Sequence, residues 1–129
     1  MNIGLLEKAC LQYFAQLLGL QIDKEIFLGQ LPVSCKQGTA FIWKNQQSNS
    51  VNDDVYAFQI ISRNLDRDYI LDIYSKLFNN LPAFGIIIDN LQLVAINLDG
   101  TGGVYKTEHD GKEYWAMSLN LLIIAKTTN

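Results

Sequence analysis

Apolar positions change their spacing in the middle of the chain. The block Val55-Tyr56-Ala57-Phe58-Gln59-Ile60-Ile61-Ser62 is dense in aromatic and β-branched residues and follows the turn-forming run Asn52-Asp53-Asp54. It predicts a strand. Beyond Arg63, the residues Ile70, Ile73, Tyr74, Leu77, Phe78 and Leu81 recur at spacings of three and four. That spacing aligns them on one face of a helix over residues 65–81. Asn64 is the expected cap, Asp66 and Asp68 suit the positive first turn, and Asn79, Asn80 and Pro82 end the helix. A strand feeding directly into an amphipathic helix requires a sheet for the helix to cover.

The flanking segments supply that sheet. Residues 2–18 predict a first helix, capped by Asn2 and closed by Gly19, with Leu6, Ala9, Cys10, Tyr13, Phe14, Leu17 and Leu18 on one broad apolar face. The face is wide enough to touch both the sheet and something else. Residues 26–31 predict a short strand ended by Pro32, 37–39 a turn, and 41–43 a second short strand. The polar residues 44–54 predict a long exposed loop. Residues 86–88 are apolar and fit a strand or a buried lead-in, and 91–98 a further strand. Glycines 100, 102 and 103 mark a flexible bend, and Asp110-Gly111 a hairpin turn. The last strand spans 114–125. Trp115, Met117, Leu119, Leu121 and Ile123 fall on its core face, and Tyr114, Ala116, Ser118, Asn120, Leu122 and Ile124 on a face only partly covered. The order predicts a single α+β domain over residues 1–129: a mainly antiparallel sheet with two helices packed on one face.

Composition narrows the function classes. A hydrophobic fraction of 49% is enough for a core, and a net charge of -3 with only ten Lys and Arg argues against phosphate-backbone binding as the main task. Cys10 and Cys35 lack CxxC spacing and read as buried or half-buried thiols in a reducing compartment, with a disulfide as the alternative. The start of the chain shows no signal-peptide pattern and no stretch long enough to span a membrane, so a soluble, cytosolic protein is expected. His109 is the single histidine and sits in a turn, which suits a solvated side chain better than a catalytic base. No cofactor or metal set is apparent. Asp53, Asp54 and Glu113 are the acids a metal-dependent nuclease would use. Arg63 and Arg67 flank the second helix and could reach an acidic partner.

The stretch from Val55 to Ala125 resembles the tail-terminator proteins of long-tailed bacteriophages and prophages, a group that includes minor capsid, tail-completion and head-to-tail joining proteins. The resemblance rests on Phe58-Gln59-Ile60-Ile61-Ser62-Arg63, the helix from Tyr69 to Leu81, Leu93-Val94-Ala95-Ile96, Asp110-Gly111-Lys112 and the strand from Tyr114 to Ile124. The N-terminal helix also fits. The resemblance implies a structural, non-enzymatic role. Such proteins form a homo-hexameric ring on the finished tail tube, stop its polymerisation and meet the head connector. The subunit can be a monomer in isolation, and DNA would only pass through the lumen. It also implies assembly in the host cytoplasm and a final place at the virion head-tail junction. On this reading the interface residues are Gln46, Ser48, Asn52, Arg63, Arg67, Lys106, His109, Asp110, Leu122 and Ile124. The loops over 44–54 and 100–112 would face tube or connector. A small α+β adaptor unrelated to phage tails is the rival reading, and a metal-dependent nuclease the remote one.

Overall fold

The computed structural model describes residues 2–32, 35–47, 54–100 and 102–127. Their elements run α1 (Ile3–Leu18), β1 (Ile26–Leu28), β2 (Gly38–Gln47), β3 (Asp54–Asn64), α2 (Arg67–Asn80), β4 (Ala83–Ile88), β5 (Leu91–Leu98), β6 (Gly103–His109) and β7 (Lys112–Thr127). Local chemistry sets most of these boundaries. Asn2 accepts the Leu5 N–H at 3.2 Å to start α1, and Gly19 ends it in the left-handed conformation at φ 69°. The cap of α2 is Asp66 rather than Asn64. Asn64 Oδ1 accepts the Asp66 N–H at 2.9 Å, and Asp66 Oδ1 then accepts the Asp68 N–H at 3.0 Å. Two successive side-chain turns therefore carry β3 into α2, and the helix begins at Arg67 instead of residue 65.

The strands form one sheet in the order β1-β2-β3-β7-β5-β4, with β6 also paired to β7. Every pairing is antiparallel except β1 with β2. β7 is the spine. One of its edges is paired to β3 from Asn64↔Trp115 to Asp54↔Ala125. Its other edge is divided: β6 pairs residues 112–118 and β5 pairs residues 121–127. The architecture is α+β, with a sheet that is curled rather than flat.

Both helices cover one face of this sheet. Tyr56, Phe58 and Ile60 of β3 and Leu119, Leu121 and Ile123 of β7 meet Leu6, Cys10 and Phe14 of α1 and Ile70, Ile73 and Leu77 of α2. A column of rings ties α1 to the strands, with centroids 5.4 Å apart for Phe14–Phe41 and 4.6 Å for Phe41–Phe58. Each large side chain buried here contributes roughly 1.5–3 kcal/mol. Thr39 and Ser62 are buried polar residues of the same face and satisfy each other through a 2.9 Å hydroxyl contact. Cys10 and Cys35 are free thiols, and burial among these side chains raises the pKa of Cys10 far above the usual thiol range.

Four expectations are corrected. Residues 44–47 and Asp54 are not loop but the ends of β2 and β3, and residues 48–53 lie outside the described residues. The bend near 37–39 is confined to Lys36 and Gln37, because Gly38 and Thr39 already pair with Arg63 and Ser62. Residues 103–109 form strand β6, so 100–112 is largely a hairpin arm; its two-residue turn holds Asp110 at φ 52° and Gly111 at φ 74°. On β7, Tyr114 and Ala116 are buried on the side turned away from the helices, whereas Trp115 is only half-buried.

Gly102 is not merely a flexible joint before β6. It adopts φ 62°, and a Cβ there would run into the Ser118 carbonyl oxygen and the Leu119 side chain of β7. Gly102→Ala is expected to destabilise the protein by about 2–4 kcal/mol through left-handed strain and overpacking. Gly111→Ala carries the strain without the clash and should cost about 1 kcal/mol. Urea denaturation of the two variants measures the difference.

Candidate interaction surfaces

The sequence-selected residues fall into two groups, at opposite ends of β7. Arg63, Arg67, Lys106, His109 and Asp110 gather where β3 ends, α2 begins and the β6–β7 hairpin turns. Leu122 and Ile124 lie on the C-terminal half of β7, and Gln46 is exposed near the end of β2, paired with Tyr56. Ser48 and Asn52 lie outside the described residues.

In the first group, β7 provides an aromatic floor. The Arg63 guanidinium lies 5.6 Å from the Tyr114 ring centroid and donates to the carbonyl oxygens of Lys36 at 2.7 Å and Cys35 at 3.1 Å. Arg63 is thus committed within the chain: it holds the carbonyls of residues 35 and 36 while its guanidinium lies over the buried Tyr114 ring. Arg67 and Lys106 are free of such carbonyl partners among the described residues. Each places its charged group 5.2 Å from the centroid of the Trp115 ring. Lys106 arrives there as the cross-strand partner of Trp115. His109 packs edge-on to Tyr114, with ring centroids 6.3 Å apart, and its Nε2 lies 3.5 Å from Asp110 Oδ2.

The second group marks the sheet face opposite the helices. Val55 pairs with Ile124 and Ala57 with Leu122; across the other edge of β7, Ala95 pairs with Ile124 and Asn97 with Leu122. The apolar strip continues to the edge strand, where Phe84 pairs with Ala95. Phe84 is 67% exposed and Ile87 is 65% exposed. Sequence reasoning missed these two residues. The run Phe84-Gly85-Ile86-Ile87-Ile88 has no polar alternation to assign faces, but the glycine inside a strand pattern is a signal for an irregularity. Gly85 adopts φ 66°, so that Phe84 faces away from the helices while Ile86, paired with Leu93, faces the core. At the same end, Leu5, Lys8, Ala9 and Gln12 of α1 and Ile88 to Leu91 border a cleft of about 230 Å³.

The acids proposed for a nuclease are spread apart: Asp54 pairs with Ala125, whereas Glu113 pairs with Glu108 at the other end of β7. Extended strand geometry places them about 40 Å apart, too far to share a metal ion. Asp54 Oδ2 instead accepts the Tyr56 hydroxyl at 3.3 Å, and burial, with the charge of Asp54 and this bond, raises the Tyr56 pKa. Among the described residues, no three His, Cys, Asp or Glu side chains come together as metal ligands, and no helix is long and apolar enough to cross a membrane.

The fold is similar to that of a chain in the virion of a native gene transfer agent (GTA) particle. The match has a TM-score of 0.52 at 11% identity and covers 88% of this chain and 84% of that chain. Such an identity speaks for the fold alone. No protein-family model and no curated protein matches the sequence.

The two arginines should separate in stability measurements. Arg63→Ala leaves two carbonyls and Tyr114 without their partner and should cost about 1.5–3 kcal/mol. Arg67→Ala removes only an exposed cation–π contact and should cost less than about 1 kcal/mol. Equal losses in chemical denaturation would contradict the assignment of Arg63 as the internal strap.

Proposed function

We propose that this chain is a structural protein of a phage-like particle that acts as a tail terminator: a ring of identical subunits that caps the tail tube, stops its growth and joins it to the head connector. The observation that carries the proposal is the fold shared, over most of both chains, with a component of a gene transfer agent virion. The open apolar strip around Leu122, Ile124, Phe84 and Ile87 supports it. Monomeric proteins seldom leave such an edge bare, since an unpaired strand with exposed apolar side chains invites association. A closed ring needs two different patches on each subunit. The strip is one, and the α1 side, with its cleft and the 56%-exposed Leu5, is the other. The mixed charge of the surface suits protein contacts, with DNA passing through the lumen unread. The domain would then span residues 1–129, assemble as a hexamer in the host cytoplasm and end at the head-tail junction.

The test uses tail tubes polymerised from the tube protein encoded beside this gene. Added chain should halt elongation and appear in electron micrographs as a sixfold cap on one tube end. Leu122→Asp, with unchanged far-ultraviolet circular dichroism, should fail to cap. Unhindered elongation in the presence of the unaltered chain, or gene neighbours with no tube or head-completion protein among them, would overturn the proposal.

A further inference from the structure

We infer that two copies of this chain pair through β4, edge to edge and antiparallel across a two-fold axis, so that their sheets join into one. The inference does not rest on the terminator reading. It shares Phe84 and Ile87 with the strip assigned there to the ring, so a paired subunit cannot present that strip to a ring neighbour at the same time. The pair is the form of the free chain, and it opens before a ring closes.

The open edges of the sheet are unequally protected. β4 ends the strand order, and its outer edge is paired to nothing among the described residues. Its sequence, Ala83-Phe84-Gly85-Ile86-Ile87-Ile88, contains no charged residue. Each other open edge carries a device against an added strand. β1 is only three residues long. Beyond Phe41, β2 shifts register between Trp43 and Asn45, with Lys44 at the irregularity. β6 carries Lys106 and Glu108. Phe84 and Ile87 on the unprotected edge are also the two most exposed large apolar side chains among the described residues.

The kink at Gly85 selects a second copy as the occupant. Ala83, Ile86 and Ile88 face the helices, and Phe84 and Ile87 face away. Laid antiparallel against its own copy and centred between Gly85 and Ile86, β4 sets Ala83 opposite Ile88, Phe84 opposite Ile87, and Gly85 opposite Ile86. In an unkinked strand this register would oppose residues of different faces. The left-handed Gly85, at φ 66°, reverses the alternation midway, so the faces agree at both ends of the seam. Phe84 then meets Ile87 of the copy, and Ile87 meets Phe84, as two aromatic–aliphatic cross-strand pairs. Gly85 leaves space for the opposing Ile86 because it has no Cβ.

Charge supports the same register. Asp89, which follows β4, falls opposite Pro82 of the copy. The two Asp89 carboxylates are then seven residues apart along the seam (89 − 82), about 23 Å, beyond the reach of such charges at physiological salt. A chain of net charge -3 thus meets its copy along an uncharged line. Six residues a side make a small contact, so the dissociation constant should be on the order of 10 µM.

Sedimentation equilibrium of the full chain across the micromolar range, without tubes present, tests the pairing. A monomer–dimer equilibrium is expected. Ile87→Lys sets a charge on the seam and should weaken it at least about tenfold, with circular dichroism verifying the fold. Leu122→Asp lies two strands away and should leave the pairing unchanged, so the pairing and the ring reading fail separately. Register is tested by oxidation in a Cys35→Ser background. Chains with Phe84→Cys mixed with chains with Ile87→Cys should cross-link, since directly opposed strand residues suit a disulfide. Neither variant should cross-link with itself, because like positions lie about 10 Å apart. A monomer throughout the range, open chains or rings in place of a dimer, undiminished pairing of Ile87→Lys, or self-cross-linking of Phe84→Cys would each overturn the inference.

Discussion

The pairing of β7 is the constraint on which the rest of the structure depends. A single strand of 16 residues holds β3 along one edge and divides the other between β6 and β5. Its core-facing side chains, Met117, Leu119, Leu121, Ile123 and Ala125, are the floor on which the helices rest. β5 and β6 both run antiparallel to β7 and share its second edge end to end, and between them Gly102 crosses tightly over Ser118 and Leu119. The two ends of β7 thereby become two different environments, one aromatic and of mixed charge, the other apolar.

That polarity gives the surface its meaning. At the N-terminal end of β7, Tyr114 and Trp115 point to opposite faces, and each recruits its own cations. Arg63 is turned inward to strap residues 35–36, whereas Arg67 and Lys106 stay at the surface. Identical charge thus serves packing in one case and remains available to a partner in the other. At the C-terminal end, the helices seal one face while Leu122, Ile124, Phe84 and Ile87 line the other. Burial of that strip by a neighbouring subunit would return it to the hydrophobic free energy it lacks in a lone chain.

Much of the fold is legible in the sequence where local chemistry decides it. Asn2 and Gly19 bracket α1 to the residue, and the Asp110-Gly111 turn follows from the left-handed conformation both positions adopt. The errors lie in edge and overhanging strands. The far half of β2, Lys44 to Gln47, is polar because β1 pairs only as far as Phe41; beyond that point β2 has a neighbour on one side alone. β6 is likewise paired only to β7, and its Lys, Thr and Glu residues disguise a strand as a loop. Asn64 and Asp66 are both competent caps, but Asn64 is still paired with Trp115 as the last residue of β3, which leaves the cap to Asp66. Of the surface, the sequence marks Arg63, Arg67, Lys106, Leu122 and Ile124. It does not reveal that three of them meet on Tyr114 and Trp115, since that convergence depends on which strands β7 joins. Phe84 and Ile87 were hidden for a different reason: the facing of an unbroken apolar run was set by the kink at Gly85.

Native-state hydrogen exchange along β7 is the most direct test of this account. Backbone amides hydrogen-bonded within β7 and β3 between Met117 and Ile123 should exchange only through global unfolding, while the bonds of β6 and β4 open at lower free energy. Exchange of central β7 amides at or before those of β6 and β4, with α1 and α2 still protected, would contradict the claim that the structure is built on this strand.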